Sequence, residues 1–169
     1  MRFFIAFAMF ISLLFAEENV YYEDDITPKE AYFMQQNGAI LIDVRTPAEF
    51  LYGGHAPGSI NIPIFFYHIK PKDIKYRIKF SQMELKKNSV FDAHKMYDIN
   101  PVENENFAQN VKAVVKKYPG KALLIICRSG QRSAYAANLL AKKGYDEVYN
   151  VSEGFTFGWK KAGLPWGAE

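Results

Sequence analysis

The chain has 169 residues, with 21 lysines and arginines against 18 aspartates and glutamates, a net charge of +3, and one cysteine. So even a charge balance gives no reason to expect a nucleic-acid partner. A single cysteine excludes an internal disulfide, and the length suits one domain with a substantial core.

Met1-Arg2 is a short basic start, followed by an uncharged apolar run from Phe3 to Phe15; polarity begins at Glu17. This is the pattern of a secretory signal peptide, residues 1–16, with cleavage after Ala16. The run is shorter than the roughly 20 residues that span a bilayer. The expectation is a periplasmic or otherwise exported protein with no stable membrane anchor after cleavage. Residues 17–26 are polar and acidic and read as a loose mature N-terminal segment. A single domain is expected over 27–166.

Thr27-Pro28-Lys29-Glu30 is a capping box with Pro at the first helical position. It predicts a helix to about Asn37, stopped by Gly38. Ala39 to Val44 is a continuous apolar run of strand length, broken only by Asp43, as expected of a strand buried on both faces. Thr46-Pro47-Ala48-Glu49 repeats the capping box and starts a short helix ending near Tyr52. The turn-rich loop from Gly53 to Gly58 follows, then a short strand from Ser59 to Ile62, halted by Pro63.

The stretch 65–101 reads as an insertion, far longer than an ordinary connection. Eight lysines and arginines here oppose four acidic residues, so the positive charge of the mature chain is concentrated in it. Ile74 to Phe80 is compatible with strand or helix. The insertion is open to use as a lid, a homodimer surface or a partner-docking element. Its basic excess would attract anions to a site beside it. His68 and His94 fall here, at a spacing that matches no metal-ligand motif, and no second cysteine assists them, so no metal site is expected. Asn100-Pro101-Val102-Glu103 reads as a third helix cap, leading into Phe107, Val111, Val114 and Val115 at helical spacing.

The last third carries the chemistry. Lys121 to Ile126 is a strand that runs straight into Cys127. Arg128-Ser129-Gly130-Gln131-Arg132 forms a loop, and a helix is expected from Arg132 to Lys143. A strand–loop–helix unit surrounds the loop with backbone N–H groups and the positive end of a helix. Two arginines reinforce that field, which favours a thiolate or a bound anion. Cys127 is therefore the candidate nucleophile. The alternative, an inert buried cysteine, leaves the two arginines within five residues unexplained. A strand from Glu147 to Val151 and a helix from Gly154 to Lys161 complete the chain. Strands alternating with helices imply an α/β domain with a parallel sheet of about five strands and helices on both faces, in three layers.

Five patches in this order resemble single-domain rhodaneses, a family of sulfurtransferases. They are Leu41-Ile42-Asp43-Val44-Arg45 with Glu49-Phe50; Gly54-His55 with Pro57-Gly58-Ser59-Ile60-Asn61-Ile62-Pro63; Cys127-Arg128-Ser129-Gly130-Gln131-Arg132-Ser133; Gly144-Tyr145 with Val148 to Val151; and Gly154, Gly158-Trp159 with Gly163-Leu164-Pro165. Related phosphatases and arsenate reductases use Cys-x5-Arg. Arg132 lies five positions after Cys127, so the pattern here is Cys-x4-Arg, which the family associates with sulfur. A smaller ring of N–H groups suits a terminal persulfide sulfur better than a tetrahedral phosphate.

The resemblance implies a two-step exchange. Cys127 takes a sulfane sulfur from a small anionic donor, thiosulfate or polysulfide, as a covalent persulfide. It then passes the sulfur to a thiol, to cyanide or to a protein acceptor, with no cofactor. Backbone N–H groups of residues 128–132 would hold the persulfide, and Arg128 and Arg132 the donor. Asp43, Arg45, Glu49, His55 and Ser133 are assigned to structural support. A persulfide carrier with little free turnover, serving one dedicated partner, is the second reading. A phosphatase-like or arsenate-reductase-like enzyme is the third.

Overall fold

The computed structural model describes residues 20–89 and 92–168. The apolar run from Phe3 to Phe15 and the cleavage point after Ala16 lie outside the described residues. Among the described residues there are seven strands: β1 (Asp24–Ile26), β2 (Ile40–Asp43), β3 (Ile60–Asn61), β4 (Phe65–Pro71), β5 (Tyr97–Glu103), β6 (Leu123–Ile126) and β7 (Val148–Val151). The helices are α1 (Pro28–Gln36), α2 (Pro47–Gly53), α3 (Ile74–Lys87), α4 (Phe107–Lys117) and α5 (Gln131–Lys142). A 3-10 turn spans Ala93–Met96 and a wide π-type turn spans Gly154–Trp159.

Five strands form one parallel sheet in the order β1-β7-β6-β2-β3. Successive residues of a strand point to opposite faces, and this parity divides the core in two. Ile42, Leu123, Ile125 and Val148 face Phe107 and Val111 of α4 and Ala136, Ala137 and Leu140 of α5. Leu41, Leu124, Ile126 and Val151 face Ala31 of α1 together with Phe155 and Trp159 of the π-type turn. The three-layer α/β arrangement expected from the alternation is the one observed.

Both capping boxes form as expected. Thr27 and Thr46 each accept from the N–H three residues on, and Glu30 and Glu49 each reach back to the cap N–H. Two expectations are corrected. The segment read as a loose tail ends in β1, an edge strand paired with β7. β1 is only three residues long and polar, so backbone pairing carries it, with Asn150 Nδ2 donating to Asp25 at 2.7 Å. The third cap does not form: Asn100-Pro101-Val102-Glu103 lies in β5, and α4 starts at Phe107. Pro101 is tolerated because β4 and β5 form a two-stranded ribbon, where a missing N–H can face outward. Asn104 sets the start of α4 instead. Its Nδ2 donates to the Pro63 carbonyl, its carbonyl accepts from Phe107, and its Oδ1 accepts from the Asn106 N–H.

The insertion is thus an arm rather than a loop. β4 and β5 pair from Phe65↔Glu103 to Pro71↔Tyr97, and α3, a helix rather than a strand, is carried at the ribbon's far end. At the base, Phe65 stacks on Tyr135 of α5 with ring centroids 5.4 Å apart, and the Tyr135 hydroxyl donates to Glu103 at 2.7 Å.

Candidate active site

Cys127 follows β6 at the carboxyl edge of the sheet, between β7 and β2, where open parallel sheets place their ligand sites. Its side chain is buried, with 1% of the residue exposed. Sγ accepts the Gly130 N–H at 3.2 Å and lies 3.3 Å from Ser133 Oγ. Ser133 Oγ is also 2.9 Å from the Gly130 carbonyl, so its single proton serves one acceptor at a time.

The loop is held from outside. The Phe155 N–H donates to the Cys127 carbonyl at 2.7 Å and the Thr156 N–H to the Arg128 carbonyl at 3.1 Å. These bonds turn the loop carbonyls away from the sulfur. The N–H groups of Arg128, Ser129, Gln131 and Arg132 have no acceptor among the described residues. Successive unpaired N–H groups next to a helix start form an anion-binding concavity. Two glycines permit the packing. Gly130 has φ 98, and a Cβ there would collide with the Ser152 carbonyl. Gly154 has φ 61, and a Cβ there would sit 2.6 Å from the Ser129 nitrogen. Any other residue at either position would push the loop out of place.

The two loop arginines behave differently. Arg132, expected to hold a donor anion, pairs with Glu49 through both terminal nitrogens, at 2.7 and 2.9 Å. Glu49 is therefore more than a helix cap. Burial raises its carboxyl, but hydrogen bonds and charge from Arg132 and donors from Thr46 outweigh that and hold it at about 2. The same hydrogen bonds raise the Arg132 guanidinium above its ordinary value. Arg128 is exposed and has no carboxylate partner among the described residues; its guanidinium lies 5.4 Å from the centre of the Phe157 ring. Ser129 and Gln131 are exposed beside it.

Asp43 and Arg45 are brought together in the interior. Arg45 Nη2 is 2.6 Å from Asp43 Oδ2 and 2.7 Å from the Gly54 carbonyl, and the guanidinium stacks 4.3 Å from the Phe155 ring centre. One buried guanidinium thus ties the end of β2 to the Gly54-His55 loop and to the residue that anchors Cys127. His55 stacks on Phe50 at 3.8 Å and its Nδ1 lies 3.2 Å from the Phe50 carbonyl. Gly54 is pressed under the Trp166 ring, and His55 bridges Gly167, so the C-terminal segment straps this loop down. The contribution of Phe155 and Thr156 to the loop was not read from the sequence. The glycine at 154 was visible; that the N–H groups following it meet the cysteine's carbonyl depends on tertiary placement. His68 and His94 lie in the arm, and no group of three or more metal-ligating side chains occurs among the described residues.

An α/β domain with a buried cysteine at a strand end, its sulfur accepting a loop N–H and further loop N–H groups left unpaired, defines a class of domain built around one thiol. Residues 27–162 match the model for the rhodanese-like domain, and the chain belongs to that family. It is 32% identical over 149 residues to an uncharacterized protein of Rickettsia prowazekii, covering 84% of this chain and 95% of that one. It is 25% identical over 141 residues to the thiosulfate sulfurtransferase GlpE of Haemophilus influenzae, covering 83% and 91%. A crystal structure from M. tuberculosis shares the fold with a TM-score of 0.56 at 23% identity, covering 88% of this chain and 99% of that one. By family, then, the chain stands with the sulfurtransferases.

Proposed function

We propose that the protein is an exported sulfurtransferase that moves a sulfane sulfur from thiosulfate or polysulfide to a thiophilic acceptor through a Cys127 persulfide. The supporting observation is the surroundings of Sγ: a donated N–H, a hydroxyl within reach and a loop whose carbonyls are pinned outward. With thiosulfate, the Cys127 thiolate attacks the outer sulfur. A Cys127 S–S bond forms, the donor's S–S bond breaks, and sulfite leaves with the bonding pair. In this reading the unpaired N–H groups of Ser129, Gln131 and Arg132 stabilise the terminal sulfur anion, as an oxyanion hole stabilises oxygen. Arg128 is the free cation for the donor; Arg132, held by Glu49, stiffens the loop. An acceptor then takes the outer sulfur and Cys127 leaves as thiolate. With one cysteine in the chain, the persulfide has no internal thiol to resolve it, so discharge is always to an outside molecule.

The burial of Cys127 favours a second reading, a carrier that shields its persulfide until one partner docks. Steady-state thiosulfate:cyanide and polysulfide assays separate the two. Turnover marks the enzyme; a stable adduct of about 32 Da without turnover marks the carrier. Cys127→Ser is expected to abolish both, and retention of either in that variant sinks the sulfur reading. Hydrolysis of an aryl phosphate by the wild type points instead to phosphorus chemistry. The intact mass of the secreted protein reports cleavage after Ala16.

A further inference from the structure

The arm ends in a surface that the sheet does not use. α3 is a helix of 14 residues, capped at both ends: Asp73 accepts from the Lys75 N–H, and Asn88 closes the last turn in the left-handed conformation. At about 100° per residue, its inner side is set by buried Phe80, with Arg77 and Glu84 half-buried beside it. The side opposite Phe80 carries two adjoining rows. Ile74, Ile78 and Leu85 form the first, interrupted by Ser81, and Leu85 is 83% exposed. Lys75, Lys79 and Lys86 form the second, interrupted by Gln82. All three are exposed, and none has an ion-pair partner among the described residues. The charge of the whole chain is divided in the same sense. Residues 65–101 hold eight basic against four acidic side chains, whereas residues 17–64 and 102–169 hold twelve against fourteen. The arm is thus the positive end of a chain whose remainder is slightly negative.

We infer that the outer side of α3 docks on an anionic phospholipid bilayer. A helix with an apolar row beside a lysine row lies in the interface plane, its apolar side chains toward the acyl chains and its ammonium groups among the headgroup phosphates. Because α3 is already formed and capped, the contact carries little of the ordering cost that a disordered segment meets on binding. No helix among the described residues is long and apolar enough to cross a membrane, so the contact is interfacial and reversible. The same anionic surface repels the negative remainder of the chain and turns the sheet away from it. A second copy fits this face less well. Two-fold pairing sets each lysine row against either the partner's lysines or the partner's apolar row. An acidic protein would satisfy the lysines, but the apolar row stands on the convex side of a helix, and a fluid interface takes such a row without a matching groove. The contact is independent of the chemistry at Cys127.

The test is flotation of the secreted protein with vesicles of equal parts phosphatidylglycerol and phosphatidylcholine, against vesicles of phosphatidylcholine alone. Wild type and variants are compared in the same form, so the residues before α3 contribute equally to each. Binding is expected on the anionic vesicles only, and release is expected at about 0.5 M salt, where exposed charges are screened. Lys75→Gln/Lys79→Gln/Lys86→Gln is expected to weaken binding about a hundredfold, at about fivefold per lysine. Ile78→Ser/Leu85→Ser is expected to weaken it about tenfold or more. Ser81→Leu completes the apolar row and is expected to strengthen it about threefold or more. All six side chains are exposed, so urea midpoints are expected to stay near that of the wild type. No binding to either vesicle, or equal binding to both, overturns the inference. So does binding that the lysine substitutions weaken but that Ile78→Ser/Leu85→Ser and Ser81→Leu leave unchanged, because charge alone then holds the surface, as it would for soluble polyglutamate. A concentration-dependent dimer that Ile78→Ser/Leu85→Ser dissolves overturns it in favour of a second copy.

Discussion

The five-stranded sheet is sandwiched: its side chains divide into two cores, and the cysteine loop is tied to both the π-type turn and α5. The β4–β5 ribbon has none of this. Its strands pair only with each other among the described residues, and Phe66, Ile69 and Val102 remain largely exposed. On α3, Ile74, Ile78 and Leu85 fall on one stripe, 50–83% exposed, while Phe80 on the other side is buried. The difference separates what holds the chemistry from what is attached to it. The sheet is stabilised by buried apolar area and one internal ion pair; the arm, by local hydrogen bonds and a few contacts at its base.

That contrast is breakable by substitution. The largest effect is expected at the sulfur: Cys127→Ser removes the nucleophile, so thiosulfate:cyanide turnover falls at least about a thousandfold, while the denaturation midpoint stays near that of the wild type. Arg45→Met leaves the buried Asp43 carboxyl without its cation, only the residue-45 backbone N–H still donating to it, and it frees Gly54 and Phe155. A loss of about 3–5 kcal/mol is expected in urea unfolding. Glu49→Gln, at a half-buried pair, is expected to cost about 1–2 kcal/mol and to loosen Arg132. The pH dependence has a defined sign. The folded Glu49 carboxyl sits at about 2, below its ordinary 4.5, so its contribution is fully present above about pH 4.5 and disappears as the pH falls through about 2. Stability against pH is therefore expected to be flatter in Glu49→Gln over that window. Replacing residues 66–102 by a tight turn is expected to shift domain stability by about 1 kcal/mol or less, since the excised chain packs on itself and a shorter connection closes more easily. A loss approaching that of Arg45→Met would show that the arm belongs to the core. The smallest effect is expected for Lys72→Ala, whose exposed pair with Asp98 spans 3.9 Å and contributes about 0–0.5 kcal/mol.

The sequence revealed most where short-range chemistry decides. The two Thr-Pro-x-Glu boxes fixed α1 and α2, and unbroken apolar runs located β2 and β6. It also placed Cys127 at a strand end, as the first residue of a six-residue loop. It failed where distant pairing decides. β1 has no apolar pattern and exists because β7 offers an edge. Asn100-Pro101 carries a good cap signature, yet pairing of Pro101 with Tyr67 outweighed it. At the site, the arginine spacing was visible but not its partner. Arg132 meets Glu49 across 83 residues, and nothing local foretells that pairing.

The two outward bonds from Phe155 and Thr156 also act as a ruler. Phe155 grips the Cys127 carbonyl and Thr156 the Arg128 carbonyl, while Glu49 grips Arg132 at the other end. The span between these clamps is set by the π-type turn and by α2, not by the loop itself. One added residue would have to bulge, because Gly130 already lies against Ser152 and Gly154 against Ser129. Widening the ring toward phosphate would therefore require moving its surroundings as well as lengthening its sequence. The size of the ring is thus stored in the clamps that frame the loop as much as in the loop.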